Sequence, residues 1–285
     1  MSLILLTGNI TLDIINTVAH YPQEDEELRA NSQRITVGGN ATNTAIVLGG
    51  FNHVCEVVST LAQDLAAAQV QALLSELPIT LKDCQICEGS TPTSYITLNQ
   101  SNGSRTIVHY RDLPELSAEH FYQIPVERYD WLHFEGRNVE QLDLMLQHAR
   151  RHLIDQPISL EVEKVRTGLE ALIPRTDLVM FSRPYALSQG FTNAETFLKA
   201  QQQQHGKLWM TCTWAEQGAW AIDQYGECWH AAAPLQGTAQ DTLGAGDTFN
   251  AGLINALVTG SPLDTALTQA VQLASRKIQQ IGLSS

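Results

Sequence analysis

Basic residues are scarce in this chain: 17 Lys and Arg stand against 30 Asp and Glu, a formal charge of −13 at pH 7 with His neutral. Nucleic-acid binders need a basic stripe or patch that displaces counterions. No nucleic-acid partner is therefore expected, and a nucleotide-sized ligand would need the few cations gathered at one place. Long apolar runs are missing too. None reaches the roughly 18 residues of a membrane span, and the opening Met1-Ser2-Leu3-Ile4-Leu5-Leu6-Thr7-Gly8 lacks the length and basic start of a secretory signal. We expect a cytoplasmic protein with no membrane partner. Cysteine is limited to five residues. The odd count suits a reducing compartment better than a disulfide framework, and Cys84 and Cys87 form a C-x-x-C without the second pair of a zinc ribbon. No Lys-Ser/Thr follows a glycine at Walker A spacing, and no internal repeat occurs; the one biased tract is the glutamine run 201–204.

What is present is a chain of 285 residues, 44% hydrophobic and 16% charged, enough for one large α/β core with a small appendage. Apolar strand-like runs at 3–6, 53–59, 79–87, 130–134, 157–163, 177–181 and 207–213 alternate with helical patterns, chiefly at 62–77, 139–152 and 263–279. Residues 220–222 and 228–232 read as a hairpin across Tyr225-Gly226. Three successive strands end in polar residues: Glu135-Gly136-Arg137-Asn138, then Glu161, Glu163, Lys164 and Arg166, then Ser182 and Arg183. Polar strand ends of this kind mark the functional edge of a doubly wound sheet.

Two segments break the alternation. Residues 14–37 are interrupted by Tyr21-Pro22 and an acidic cluster at 24–27, then turn strand-like at 34–37. Residues 93–99 and 104–110 are β-rich runs joined by Ser101-Asn102-Gly103, a strong hairpin signal. We expect 14–37 and 93–112 to form a small β-sheet lid on a core made of 1–13, 38–92 and 113–285. Arg105, just past the turn, is a cation that such a flap could deliver to a phosphate. A sheet appended to a core needs cover for its second face and its edges, so a homodimer through the lid is expected.

The chemistry gathers at 237–253, where Gly244-Ala245-Gly246 runs into a helix-like stretch from Asp247. Glycines admit close backbone approach, and the first amides of a helix form an anion site. A carboxylate there would compete with a bound anion unless it handles a proton, so Asp247 suggests a base acting on the hydroxyl that attacks phosphorus. An Asp-capped helix of no special function gives the same pattern. A dinucleotide fingerprint fails, because Phe249 stands where its third glycine belongs and Asp264 follows Gly260-Ser261-Pro262. Asp13 lies beyond the first strand, where open α/β sheets bind small molecules. Asn40 and Asn43, behind Gly38-Gly39, share one face of a helix's first turn and suit a polyhydroxylated ligand, although both also serve as plain capping residues.

Together Gly38-Gly39-Asn40-Ala41-Thr42-Asn43 and Asp241-Thr242-Leu243-Gly244-Ala245-Gly246-Asp247-Thr248-Phe249 resemble the two signatures of the ribokinase-like (PfkB) sugar kinases, in the family's order. The resemblance covers essentially the whole chain and is strongest toward the ketohexokinase branch, through Tyr21-Pro22-Gln23-Glu24-Asp25, Gly103-Ser104-Arg105-Thr106-Ile107, Glu135-Gly136-Arg137-Asn138, Glu161-Val162-Glu163-Lys164 and Trp214-Ala215-Glu216-Gln217-Gly218-Ala219. It implies a doubly wound, mostly parallel sheet flanked by helices and a small β-sheet lid. It also implies transfer from ATP, with Mg²⁺, to the C1 hydroxyl of a fructose-like ketohexose. Asp13, Gly39, Asn40, Asn43 and Glu135 would hold the sugar. Asp247 would be the base, Gly244, Ala245 and Gly246 the anion hole, and Arg105 would reach the reacting end. Trp214, Glu216, Gly218 and Lys164 would lie along the nucleotide. A kinase for another sugar or a nucleoside, or an idle sugar sensor on this scaffold, are the alternatives. The family's N-x-x-E metal motif is replaced by Ser182-Arg183-Pro184-Tyr185, and its Asp-x-Asn-x-Arg by Glu161-Val162-Glu163-Lys164-Val165-Arg166; ketohexokinases share both departures, and the metal ligands stay unassigned. The sequence runs only a few residues past Ile281-Gly282, which implies a shortened cover for the adenine pocket.

Overall fold

A computed structural model describes residues 1–234 and 240–283. Among the described residues nine strands form the large sheet, in the order Cys228–Ala231, Ala219–Ile222, Trp209–Thr213, Leu178–Phe181, Ile158–Val162, Trp131–Glu135, Leu3–Thr7, Val54–Val58 and Ile79–Thr80. From Trp209–Thr213 onward every pairing is parallel, and Ala219–Ile222 runs antiparallel to both of its neighbours, Trp209–Thr213 and Cys228–Ala231. A parallel sheet must be covered on both faces, and alternate side chains of each strand serve opposite layers. Ile4 and Leu6 face a cluster that includes helices Asn40–Gly50, Ala245–Val258 and Leu263–Lys277, whereas Leu5 faces one that includes Val139–His152 and Ala194–His205. Strand order reverses between Leu3–Thr7 and Trp131–Glu135, so a cleft opens beyond their C-terminal ends.

The small sheet has, among the described residues, four strands in the order Ser32–Gly38, Thr11–Val18, Thr93–Asn99 and Arg105–Tyr110. It begins earlier than the expected boundary at residue 14: Thr11–Val18 is one of its two inner strands, so Asp13 sits on the small sheet and not in the core. The run 79–87 is split as well. Ile79–Thr80 joins the large sheet, and Gln85–Ile86 pairs with Thr60–Leu61. The helix expected over 62–77 is Leu65–Leu74, started by Asp64, whose carboxylate accepts from the Ala67 amide at 2.7 Å. Helix Ala245–Val258 starts ahead of Asp247, which places the acid inside its first turn. Residues 237–239, which open the motif stretch, lie outside the described residues.

Candidate active site

Gly39 enters helix Asn40–Gly50 with φ +100°, and a Cβ there would come within 2.0 Å of the Asn9 carbonyl oxygen. Only glycine lets the two segments approach so closely. The approach sets Asn40 and Asn43 on the first turn against the end of Leu3–Thr7. Opposite them Gly244, at φ +75°, turns the chain into Ala245–Val258. The Ala245 amide reaches back to Thr242 O at 3.4 Å. Those of Gly244, Gly246 and Asp247 have no acceptor among the described residues, and a Cβ on Gly246 would meet nothing within 4 Å. The turn therefore presents open amides at a helix N-terminus, the geometry that receives an oxyanion.

A cavity of about 550 Å³ spans these elements and the small sheet. Asp13, Gly39, Asn40, Asn43, Arg105, Glu135, Lys164, Gly244, Ala245, Gly246 and Asp247, all singled out from the sequence, line it. Asp247 is buried and its Oδ2 accepts from Asn43 Nδ2 at 2.7 Å. Burial lifts its carboxyl to about 7, and the charges of Glu135 and Glu163 push the same way against the Asn43 bond and Arg105. Arg105 comes down from the small sheet to donate to Thr242 Oγ1, beside the anion turn. Asp13 Oδ1 accepts from Thr11 Oγ1 at 2.7 Å. Burial raises the Asp13 carboxyl, and hydrogen bonds from Thr11 and Ser94 favour its ionised form. Glu135 accepts the Asn9 amide at 2.8 Å and an Arg137 guanidinium N–H at 3.2 Å.

A family model for pfkB family carbohydrate kinases matches residues 1–285. The chain belongs to the PfkB carbohydrate kinase family. It is thus a phosphotransferase, and it is 37% identical to mouse ketohexokinase over 283 residues, 96% of this chain and 95% of the mouse protein. Ribokinase from Thermotoga maritima has the same fold, with a TM-score of 0.81 at 19% identity over 99% of this chain and 95% of its own. So does Arabidopsis thaliana ribokinase solved with ribose and ATP, with a TM-score of 0.82 at 19% identity over 99% and 94%.

In this PfkB kinase, three residues expected along the nucleotide stand apart from the cavity. Trp214 is buried in the core, with the Arg183 guanidinium 5.7 Å over its ring. Glu216 is exposed and pairs with Arg183 at 3.3 Å. Gly218 takes φ +88° where a Cβ would press within 2.0 Å of Ala231 O. The expected N-x-x-E position is spent on structure: Ser182 caps helix Arg183–Ser188 by accepting from the Tyr185 amide.

Other cavity residues escaped the sequence reading as site groups. Glu161 is buried between two carboxamides: Oε2 accepts from Asn40 Nδ2 at 3.1 Å and Oε1 from Asn250 Nδ2 at 3.0 Å. Burial holds it well above the ordinary carboxylate range, and Asp247, Glu135 and Glu163 add to the effect. Asn250 could have been found three positions after Asp247 on the same helix face. Ser94 and His109 also line the cavity; the alternation of the lid strands carried that signal.

Proposed function

We propose that this kinase transfers the γ-phosphoryl group of ATP to the C1 hydroxyl of a fructose-like ketose. The observation that carries this reading is one cavity holding both a polyol-binding set, Asp13, Asn40 and Asn43, and a buried base beside open helix amides, Asp247 with Gly244-Ala245-Gly246. Likeness to mouse ketohexokinase supports the ketose. Asp247 accepts the hydroxyl proton as the sugar oxygen bonds to phosphorus, the bond to the leaving ADP oxygen breaks, and the amides of the turn and Arg105 take up charge on the migrating group. Holding both substrates in one closed site supplies much of the acceleration. Lys164 and Arg166 at the cavity wall add cations for the nucleotide phosphates.

Magnesium fits as an ion that arrives on the nucleotide. Among the described residues no three His, Cys, Asp or Glu side chains form a cage, whereas Mg²⁺ in kinases typically takes one or two carboxylates plus phosphate oxygens and water. Glu163, the more exposed of the acids lining the cavity, would hold it. Held there, it would neutralise charge on the nucleotide phosphates.

The small sheet supports assembly through the lid. On the face away from the cavity, Ile35, Ile14, Tyr95 and Val108 form one cross-strand row, with Ile35, Tyr95 and Val108 exposed. An apolar row on a four-stranded sheet is what a second copy would cover.

The deciding experiment is a panel of ketoses, aldoses, pentoses and nucleosides assayed for ADP release. Fructose-like ketoses should be turned over best, with phosphate on C1 in the product. Preference for a pentose or nucleoside would refute the ketose reading, and sugar binding without turnover would make the protein a sensor.

A further inference from the structure

On the cavity side of the small sheet, another cross-strand row runs Thr36, Asp13, Ser94 and His109. Asp13 and Ser94 are buried, and Asp13, Ser94 and His109 all line the main cavity. Ser94 stands directly opposite Asp13 in the strand pair, where its hydroxyl favours the ionised carboxylate, and its Oγ lies 3.2 Å from His109 Nδ1. A serine hydroxyl has one proton. An ionised Asp13 can only accept, and with the Ser94 proton turned toward it Ser94 Oγ accepts from His109 Nδ1–H. The second hydroxyl aimed at Asp13, from Thr11, favours the same ionised state. With Nδ1 carrying the proton, the neutral imidazole presents Nε2 as a bare acceptor, and among the described residues nothing hydrogen-bonds it.

We propose that His109 is a specificity-determining residue of the sugar site, whose Nε2 accepts a hydrogen bond from one hydroxyl of a vicinal diol while Asp13 accepts from the neighbouring hydroxyl. The proposal rests on the sugar-kinase reading of the cavity and adds the group that chooses among sugars. Acceptors in series along a strand row fit adjacent hydroxyls of one configuration and reject a sugar lacking either. The groups facing His109 keep the ring neutral near pH 7. Its own burial acts first, then Arg111 beyond its own strand and Arg137 beyond Trp131–Glu135; Asp13 on Thr11–Val18 opposes them, and Lys164 beyond Ile158–Val162 adds to them. Below that range the protonated ring turns Nε2 into a donor, and the hydroxyl loses its acceptor.

The test is calorimetric sugar binding without nucleotide, alongside steady-state kinetics, on wild type, His109→Leu, His109→Gln and Ser94→Ala. His109 lies on an exposed edge strand, and wild-type melting temperatures will verify that the variants fold. His109→Leu should weaken sugar binding about tenfold, the size of one lost hydrogen bond to an unpaired partner, with kcat within about threefold. Wild-type affinity should hold from about pH 8 to neutrality and fall as pH drops below about 6.5, the ordinary histidine value, because the surroundings of His109 lower its pKa. In His109→Gln, which keeps an acceptor that does not titrate, that fall should disappear. Among monodeoxy sugars, the one that wild type rejects most should bind the Leu variant as well as its parent sugar. Unchanged affinity in His109→Leu, or pH dependence persisting in His109→Gln, overturns the proposal. A wild type that binds no sugar at all instead brings down the kinase reading of the cavity.

Discussion

Asn43 Nδ2 donates to Asp247 Oδ2 at 2.7 Å across 204 residues of sequence. One carboxamide thereby ties the helix expected to hold sugar to the helix expected to hold phosphate. The bond orients the acid and favours its charged form, while burial opposes that form. Asp247 is thus held near the pH at which a general base works best.

Asp247→Asn should lower turnover by about 10²-fold or more, the range of general-base contributions, with sugar affinity largely kept. It should also stabilise the fold. A carboxyl raised from 3.8 unfolded to about 7 folded contributes stability that is present below the lower value and lost as pH rises through the higher one. Melting temperatures compared at about pH 8 should favour the Asn variant, and the gap should close near about pH 4. A less stable variant at alkaline pH would show that the charge is not a cost to the fold.

The pH profile of kcat/KM should rise as Asp247 loses its proton, with its midpoint near about 7. Removing the donor in Asn43→Ala takes away a bond that favours the ionised acid, so the midpoint should move to higher pH and turnover at neutral pH should drop. A midpoint unchanged from wild type would mean that Asn43 does not set the acidity of Asp247.

Light scattering at micromolar protein should report about twice the 31.4 kDa chain mass. Tyr95→Lys combined with Val108→Glu puts opposite charges within the apolar row of the small sheet and should yield monomer, since a desolvated charge at an interface is costly. A wild-type monomer that phosphorylates sugar would reduce the small sheet to a single-subunit lid.

Lys277 and Asp241 are both nearly inaccessible, with Nζ donating to Asp241 O at 2.7 Å and standing 3.5 Å from Oδ2. Asp241 also receives the Gly282 amide, the Leu243 amide and Arg34 of the small sheet. It thereby ties the last helix and the small sheet to the chain entering the anion turn. Lys277→Met leaves this carboxylate with only part of its partners, and chemical denaturation should register a loss of about 3 kcal/mol. Loss below about 0.5 kcal/mol, the ordinary scatter of surface changes, would show that Arg34 and the two amides suffice.

The alternation of apolar runs and polar strand ends from 130 to 183 was legible because it is local: a strand buried on both faces must be apolar along its length, and its end must be polar where it meets a cleft. Gly39 and Gly244 were legible as close approaches for the same reason, since only glycine accepts their backbone angles. Helix Ala245–Val258 likewise carried its acid in plain view. The order of the large sheet, the start of the small sheet at Thr11 and the division of 79–87 between two sheets were decided by tertiary pairing, because neither short strands nor their partners are specified by periodicity alone. Burial of Trp214 follows from how the core closes. Glu161 between Asn40 and Asn250, and the row of Asp13, Ser94 and His109, depend on register and on desolvation by segments far apart in the chain. Residue type announced that Asp247 could act as a base, and only the folded surroundings determine where its proton equilibrium lies.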